Sequence, residues 1–461
     1  MRAHHRMETL VKESRQRIGQ IMKLKFLAAV AAATALTLGA CSDSDPKEDP
    51  TTTAGQPTQT ATTDAPAGIS TDLAKSKDAL PPILAGKATS GDVVDVGDSS
   101  LRISTDAAKA FADPQKNIWF SAASLQVALA MLADGADADM ASKLATFYAT
   151  SGTTPGTAAL SPTLAKVQGE YIPDQDMPLG GTRFGGAYFV NPDAPGANLD
   201  LDKISSFAGG LGAYVKQGGA DALNEAGSAW ANLVSGGLIP KLPLTIPDTA
   251  ALTLAGSSYA AGTWSGDAPK PEPIDFTSAA GTKSTVDGLS FGSYDVFIYK
   301  APKGYIAIPK STGPEFQLYL TDQGVDPSSL TSADWEYDEN AQLNGTATFP
   351  KLKLTETYDL IEVGDKLGMP DITSAGYAGF SKDNTALSVA AVVQASALDV
   401  NEKGFAAASI TVVQLDGAGP MPTNDPVDLV FDRPFALRIQ TPNPDWTLFY
   451  GVINDAAAAQ E

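Results

Sequence analysis

The residue types that most often carry out protein chemistry are scarce in this chain and confined to one end. The 461 residues include two histidines, His4 and His5, and a single cysteine, Cys41. Histidine is the general base of Ser-His-Asp triads, and histidine with cysteine forms most zinc sites. Downstream of Cys41, therefore, such a triad, a Cys-His nucleophile, an intrachain disulfide and a His- or Cys-based zinc site are all excluded.

What remains for catalysis is paired carboxylates, Ser-Lys chemistry or metals bound by oxygen. The sequence has no HExxH motif and no phosphate-binding GxxxxGK[ST] loop. The Asp-rich strings "DVVDVGD" and "ADGADADM" lack the ligand spacing and closing glutamate of a calcium loop, so we interpret them as solvated turns. We expect no enzymatic activity, no cofactor and no bound metal.

The charge balance argues against nucleic-acid binding. The chain has 53 acidic residues against 32 Lys and Arg, and no basic run interrupts its main body. A nucleic-acid surface needs clustered positive charge. We interpret the acidity as a contribution to solubility.

The N-terminal region has the features of a targeting signal. Met22 is the predicted start, Lys23 and Lys25 form a basic region, and residues 26–40 are uncharged and mostly apolar. Fifteen such residues are too few for a membrane span, which needs about 20, but suit a signal peptide. Residues 1–40 are thus predicted to be an N-terminal extension and signal peptide.

The signal ends in "LGAC", which resembles the lipobox of bacterial lipoproteins. That resemblance implies a lipid on Cys41 and an outward-facing, extracytoplasmic position at the cell membrane. The alternative is an ordinary secretory signal followed by a chance cysteine. Cleavage before Cys41 would remove seven of the 32 basic and two of the 53 acidic residues, which leaves a net charge of −26.

The rest of the chain divides into a tether and one large domain. Residues 41–85 are rich in Ser, Thr, Asp and Pro, with too few large apolar residues to form a core, so they are predicted to be a flexible tether. Residues 86–461 contain helical patterns first, in "LRISTDAAKAFAD" and "NIWFSAASLQVALAMLADGA". Strand patterns follow in "ALTLAGSSYAAGTW", "DVFIYKA", "GYIAIPK", "FQLYL", "GTATFPKLKL", "ALSVAAVVQASALDV" and "FALRIQTP…WTLFYGVI". This order predicts an α+β domain with mixed sheets. Within "NIWFSAASLQVALAMLADGA", Leu125, Leu129 and Leu132 are spaced to share one buried helix face.

The stretch "NEKGFAAASITVV", residues 401–413, is unusual for its position near the end of a globular domain. After Gly404 it runs nine residues without a charge or a proline, and most of them are small or β-branched. Such residues fit a strand that enters an existing sheet, because they need little space and β-branched residues favour extended backbone. Gly404 provides a pivot with few conformational restrictions.

Five segments, in order along the chain, resemble the serpin family. They are "KNIWFSAASLQVALAMLADGA", "WANLVSGGLIPKL", "ALTLAGSSYAAGTW", "FPKLKLTETYDLIEVGDKLGM" and "FDRPFALRIQTPNPDWTLFYGVIN". The resemblance implies the serpin fold, with mixed β-sheets, a cluster of helices and an exposed reactive-centre loop near the C-terminus.

The resemblance also implies a function and its residues. Serpins of the inhibitory class trap a serine protease when their loop is cleaved and inserts as a new strand. By position, the hinge of that loop comprises Glu402, Gly404, Phe405, Ala406, Ala407, Ala408 and Ser409. Counting from Glu402 places the scissile bond at Ala418–Gly419, with Met421 as an alternative. The small residues there suit an elastase-like or subtilisin-like partner, and the protein is expected to be a monomer.

The family's sheet-opening region corresponds here to Ser121, Ser124, Gly256, Gln394 and Trp264. Gly256 stands where the family has asparagine and Gln394 where it has histidine, although glutamine can still donate and accept hydrogen bonds.

Phe405 is a second departure, because the family has a small polar residue there. A phenyl ring on the inward face would overpack the core at a cost of about 1–3 kcal/mol unless a matching space exists. On this basis Phe405→Thr is predicted to raise inhibition. These departures favour an alternative function, a non-inhibitory serpin-fold protein that binds a partner or ligand or is merely a protease substrate.

Overall fold

The structure is a computed structural model that describes residues 96–149, 156–167, 181–373, 376–405, 426–442 and 445–460. These residues all lie in one compact unit, Thr63–Glu461. The predicted signal peptide, Cys41 and the tether lie outside the described residues.

The described residues contain seven helices, of which all but the last lie before residue 235. They are α1 (Gly97–Ala110), α2 (Ala122–Ala133), α3 (Ala138–Tyr148), α4 (Thr157–Val167), α5 (Leu201–Leu211), α6 (Ala220–Val234) and α7 (Gly364–Leu367). Short 3-10 turns cover Pro327–Ser329, Ser332–Trp335 and Ala378–Phe380.

The described residues also contain sixteen strands, most of which follow residue 250. Those of the first half are β1 (Ile118–Phe120), β2 (Gly181–Val190), β3 (Tyr214–Gln217), β4 (Leu252–Thr263), β5 (Lys270–Thr277), β6 (Lys283–Phe291), β7 (Val296–Ala301) and β8 (Gly304–Pro309). Those of the second half are β9 (Glu315–Thr321), β10 (Gly345–Pro350), β11 (Leu352–Asp359), β12 (Val393–Asn401), β13 (Gly404–Phe405), β14 (Val427–Val430), β15 (Phe435–Pro442) and β16 (Asp445–Ile453).

The strands form three sheets. One has the order β1-β16-β15-β9-β8-β7 with antiparallel neighbours throughout, and a second has the order β14-β10-β6-β5. The third sheet, which contains the candidate site, has the order β11-β12-β13-β4-β2-β3. The α+β fold class predicted from the sequence is confirmed.

Helix α2 lies at the centre, where it contacts both β4 and β16. Ser121 begins the helix, because its side chain accepts a hydrogen bond from the backbone N–H of Ser124. The sequence predicts one buried face, and Leu125 and Leu129 are indeed buried, but Leu132 is only partly so. The helix is apolar on nearly all sides because sheets cover it from two directions.

Three boundaries differ from the sequence expectations. Residues 118–120, predicted as part of a helix, form β1, since they pair with β16. The "FPKLKL" segment is divided between two sheets at Lys351. The strand predicted over residues 386–400 begins only at Val393, because the preceding residues lie beside the open part of the sheet.

Within the described ranges, no helix is long and apolar enough to cross a membrane, and no cluster of three potential metal-ligating His, Cys, Asp or Glu residues occurs.

Candidate functional site: a cleft in the third sheet

The third sheet is incomplete between β12 and β4. The two-residue strand β13 lies between them and pairs with both: Phe405 is opposite Val400 and Gly262, and Gly404 is opposite Asn401 and Thr263. Over the rest of their facing edges, β12 and β4 are paired with no strand of the described chain. Among the described residues, the cleft between these two strands therefore holds the two residues of β13.

A cavity of about 710 Å³ occupies this cleft and extends beneath it. On the face towards α2 its lining includes Leu254, Gly256 and Ser258 of β4 and Gln394, Ser396 and Leu398 of β12. Gly256, Ser258 and Ser396 leave space on this face, so a strand with small inward side chains could extend β13 along the cleft and pair with both edges.

Gly404 is required at the start of β13 by both backbone conformation and space. Its φ is +155°, which L-amino acids with side chains rarely adopt. A β-carbon there would also overlap the carbonyl oxygen of Gly262 on β4. At the predicted pivot, the backbone of the hinge therefore lies in close contact with the backbone of β4.

Phe405 does not overpack the sheet in this structure, because the matching space that the sequence expectation left open is present. Its side chain is 1% exposed, with ring centroids 5.6 Å from Trp264 and 5.1 Å from Phe316. The opposing residue on β4 is Gly262, where a β-carbon would lie 2.7 Å from the ring. The absent side chain of Gly262 supplies the matching space, so the phenyl ring is accommodated in the sheet before any further insertion.

Trp264 holds the turn that leads into β13. Its indole Nε1 donates to the carbonyl of Asn401 at 2.8 Å, and its backbone N–H donates to the carbonyl of Lys403 at 3.3 Å. The sequence interpretation grouped Trp264 with the serines of the sheet-opening region. The structure instead places it at the hinge, since eight residues of extended chain, roughly 26 Å, separate it from Gly256 on the same strand.

Glu402, at the tip of the same turn, is ion-paired across the sheet. Its Oε1 lies 2.5 Å from Nζ of Lys351, which also lies 3.5 Å from Asp287 Oδ2. The hydrogen bond from Lys351 lowers the pKa of Glu402, and the same bond raises the pKa of Lys351. Sequence reasoning missed Lys351, because nothing near it in the chain indicates that it meets residue 402.

A second group of polar residues joins both sides of the cleft to the start of α2. Gln394 on β12 accepts from the backbone N–H of Ser121 at 2.9 Å and donates to its carbonyl at 2.8 Å. On the other side, Ser124 donates its hydroxyl to the carbonyl of Gly256 on β4 at 3.0 Å. Gln394 thus supplies both a donor and an acceptor at this position.

Ser258 is a further member of this group. Its hydroxyl lies 2.7 Å from that of Ser121, which itself donates to the carbonyl of Leu448, so Ser258 is the donor to Ser121. Gly256 leaves no room for a side chain, because a β-carbon would lie 2.5 Å from the carbonyl oxygen of Ser124. Two-residue alternation along β4 places Ser258 on the same face as Gly256, a signal that could have identified it.

The remaining site predictions lie outside the described residues. They are Ala406, Ala407, Ala408 and Ser409 of the hinge, Ala418 and Gly419 of the predicted scissile bond, and the lipidation site Cys41.

Comparison with known proteins finds similarity in the C-terminal part of the chain. The family model described as "Serpin (serine protease inhibitor)" matches residues 228–456. Alpha-1-antiproteinase 2 of Equus caballus is 34% identical over 108 residues, which are 23% of this chain and 24% of that protein. The chain thus spans only about a quarter of the length of this curated relative.

Solved structures extend the likeness to the whole fold. Human glycosylated kallistatin has a TM-score of 0.61 at 18% identity, and the match covers 79% of this chain and 98% of that one. Arabidopsis AtSerpin1, solved in its native stressed conformation, has a TM-score of 0.61 at 17% identity and coverage of 80% and 100%. The chain therefore contains a match to the serpin family model over residues 228–456 and has the serpin fold.

Proposed function

We propose that this protein inhibits serine proteases by the serpin mechanism, in which the loop is cleaved, inserts as a strand and traps the protease covalently. The family supports protease inhibition in general. The observation that carries the proposal for this chain is β13, because Gly404 and Phe405 of the hinge form a strand between β12 and β4, and beyond them the described residues leave a cavity between those two strands.

The proposed reaction begins when the protease serine attacks the carbonyl of Ala418 and the amine of Gly419 leaves. The protease is then held by an ester bond to Ala418. If the loop inserts before water hydrolyses that ester, Ala418 travels along the sheet with the protease attached. Fourteen residues separate Gly404 from Ala418, and at about 3.3 Å per extended residue they span roughly 46 Å.

Two features of the site favour inhibition over the non-inhibitory alternative. The ring of Phe405 has its own space opposite Gly262, and Gln394 retains hydrogen bonds to the backbone of Ser121. These were two of the departures on which the alternative depended. The small residues around the Ala418–Gly419 bond favour an elastase-like or subtilisin-like target.

We place the protein at the outer face of the cell membrane through a lipid on Cys41. The support is the "LGAC" sequence after an uncharged apolar segment, and the Ser/Thr/Asp/Pro-rich tether that follows. In that position the domain would meet proteases outside the cytoplasm.

The test is a denaturing gel of the purified chain after mixing with an elastase-type or a subtilisin-type protease. We expect a band at the summed mass that survives SDS, and sequencing of the released C-terminal peptide should begin at Gly419. A cleaved loop with fully active protease and no adduct would refute inhibition and establish the substrate or binding alternative.

A further inference from the structure

A short segment after the last strand, residues 455–460, contacts the part of the molecule that holds the hinge. We refer to it as the 455–460 clasp. The side chains of Ala456 and Ala459 are both 0% exposed, and Asp455 stabilises the turn by accepting from the backbone N–H of Ala457 at 3.0 Å. The segment is therefore a packed, hydrogen-bonded element of the fold.

The clasp covers the first residues of the free edge of the third sheet. Strand β11 is the outermost strand there, and the backbone N–H of Lys353 on that strand donates to the carbonyl of Ala459. An edge strand has unpaired backbone groups, and covering them prevents pairing with other chains. Edge protection alone, however, does not account for the hydrogen bonds that the side chain of the next residue, Gln460, forms.

Both polar atoms of the Gln460 side-chain amide form hydrogen bonds, and these bonds link β6 to the junction of β10 and β11. Its Oε1 accepts from the backbone N–H of Asp287 at 3.1 Å, and its Nε2 donates to the carbonyls of Asp287 at 2.7 Å and Lys351 at 3.0 Å. Asp287 and Lys351 are also ion-paired with each other, and Lys351 is the residue that pairs with Glu402 of the hinge.

Lys351 connects this point to the hinge. It lies at the junction of β10 and β11, where its backbone is held by Gln460 and its Nζ contacts Glu402 in the β12–β13 turn. The Lys351 side chain is 25% exposed and that of Glu402 is 44% exposed, so the pair depends on how well the lysine is positioned.

We propose that Gln460 is a positioning residue for the hinge: it fixes the backbone of Lys351 and so orients the ammonium group that holds Glu402 at the start of β13. The clasp then controls how readily the hinge turn opens. This inference rests on the proposed function for its biological meaning, but the coupling itself exists whether or not the protein inhibits a protease.

The experiment measures hydrogen exchange of the backbone amides of residues 400–405 by mass spectrometry on the purified full chain. Peptides from β15 and β16 serve as the internal standard for global opening. The variants are Gln460→Ala, Lys351→Met and the double variant, with Ala458→Ser as the matched control because Ala458 is exposed in the same segment. Lys351→Met removes the charge and retains the backbone carbonyl and most of the apolar stem.

We expect Gln460→Ala to speed exchange in residues 400–405 by about three- to tenfold, the range for losing a small hydrogen-bond network, with β15 and β16 unchanged. Lys351→Met should do the same, and the double variant should be no faster than Lys351→Met alone, since residues that act through one another are not additive. Ala458→Ser should match the parent protein.

Three results would overturn the proposal. If Gln460→Ala leaves residues 400–405 unchanged while Lys351→Met speeds their exchange, the clasp does not position the hinge. If the two effects multiply in the double variant, or exchange rises equally in β15 and β16, Gln460 is merely a structural residue. Because no protease is present, failure of this coupling and failure of the inhibitory function are separate outcomes.

Discussion

At the scale of single residues, the hinge is defined by a complementary pair. At position 404 only glycine fits against the carbonyl of Gly262, because a β-carbon would overlap it. The ring of Phe405 fills the space that the missing side chain of Gly262 leaves. A large residue is therefore tolerated at the first inserted position because its partner on β4 has no side chain. The effect of replacing Phe405 follows from this packing.

We expect Phe405→Ala to lower the free energy of unfolding by roughly 3 kcal/mol, because the buried ring packs against Trp264 and Phe316 and its loss leaves a cavity. For the same reason Phe405→Thr should destabilise the hinge and not raise inhibition. Denaturant unfolding measures the first effect, with Tyr294→Ala as the control because Tyr294 is 70% exposed. Equal losses in the two alanine variants would contradict the buried position of Phe405.

Asp134 is a buried carboxyl group whose charge state affects stability. It follows α2, and its Oδ1 accepts from the backbone N–H of Thr157 at 3.1 Å at the start of α4. Burial raises its pKa from 3.8 to about 6, although the hydrogen bonds with Thr157 oppose the shift. The folded state thus binds this proton more tightly than the unfolded state does.

The sign of the pH effect follows from that difference. The contribution of Asp134 to stability is fully present below about pH 3.8 and is lost as the pH rises through about 6. We expect Asp134→Asn to be more stable than the parent by roughly 2 kcal/mol at pH 7.5, with little gain near pH 4. Chemical unfolding at both pH values measures this, and the exposed Asp267→Asn is the control. A gain of the same size at both pH values would rule out titration as the cause.

At the scale of elements, the cleft between β12 and β4 determines which loop side chains can enter the sheet. Phe405 points inward, and two-residue alternation in an extended strand places Ala407 on the same face and Ala408 on the opposite one. If the loop continues β13, these neighbours should tolerate a large charged side chain very differently.

We expect Ala407→Arg to abolish covalent complex formation and turn the chain into a substrate, since a buried unpaired charge costs several kcal/mol. Ala408→Arg, with the same change on the outward face, should retain at least half of the complex. Quantitative gels with the cognate protease measure both. Equal behaviour of the two variants would contradict insertion in the register that β13 begins.

At the scale of the whole molecule, the domain and its attachment to the membrane are expected to be separable. The described residues form one compact unit with its own core, whereas the proposed lipid is on Cys41, in the segment before it. Changing the cysteine should therefore alter where the protein resides and leave its fold unchanged.

We expect Cys41→Ser to move the protein from the detergent phase to the aqueous phase in a phase-partition assay, because the acyl chains supply the membrane affinity. Ser44→Ala, close by in the tether, should remain in the detergent phase, and all three proteins should share one unfolding midpoint. If Cys41→Ser still partitions with detergent, the lipid is not what holds the protein at the membrane.

The fold class could be predicted from the residues and motifs alone, and the position of the hinge remains a prediction from the family resemblance. Periodicity indicated most strands correctly, because alternation and β-branched content are local properties of β4, β8 or β16. The sequence also has no histidine beyond residue 5, which excludes Ser-His-Asp and Cys-His catalysis from the rest of the chain. Gly404 and Gln394 were also identified by position in the chain.

The contacts between those residues could not be predicted from the sequence. The space for Phe405 depends on Gly262, the ion pair of Glu402 depends on Lys351, and the serine group includes Ser258. The sequence interpretation grouped Trp264 with Gly256 and the serines at the start of α2. In the structure Trp264 contacts the hinge, because the extended chain of β4 separates it from Gly256. Each of these contacts joins residues far apart in the chain, and only the packing of the sheets brings them within bonding distance.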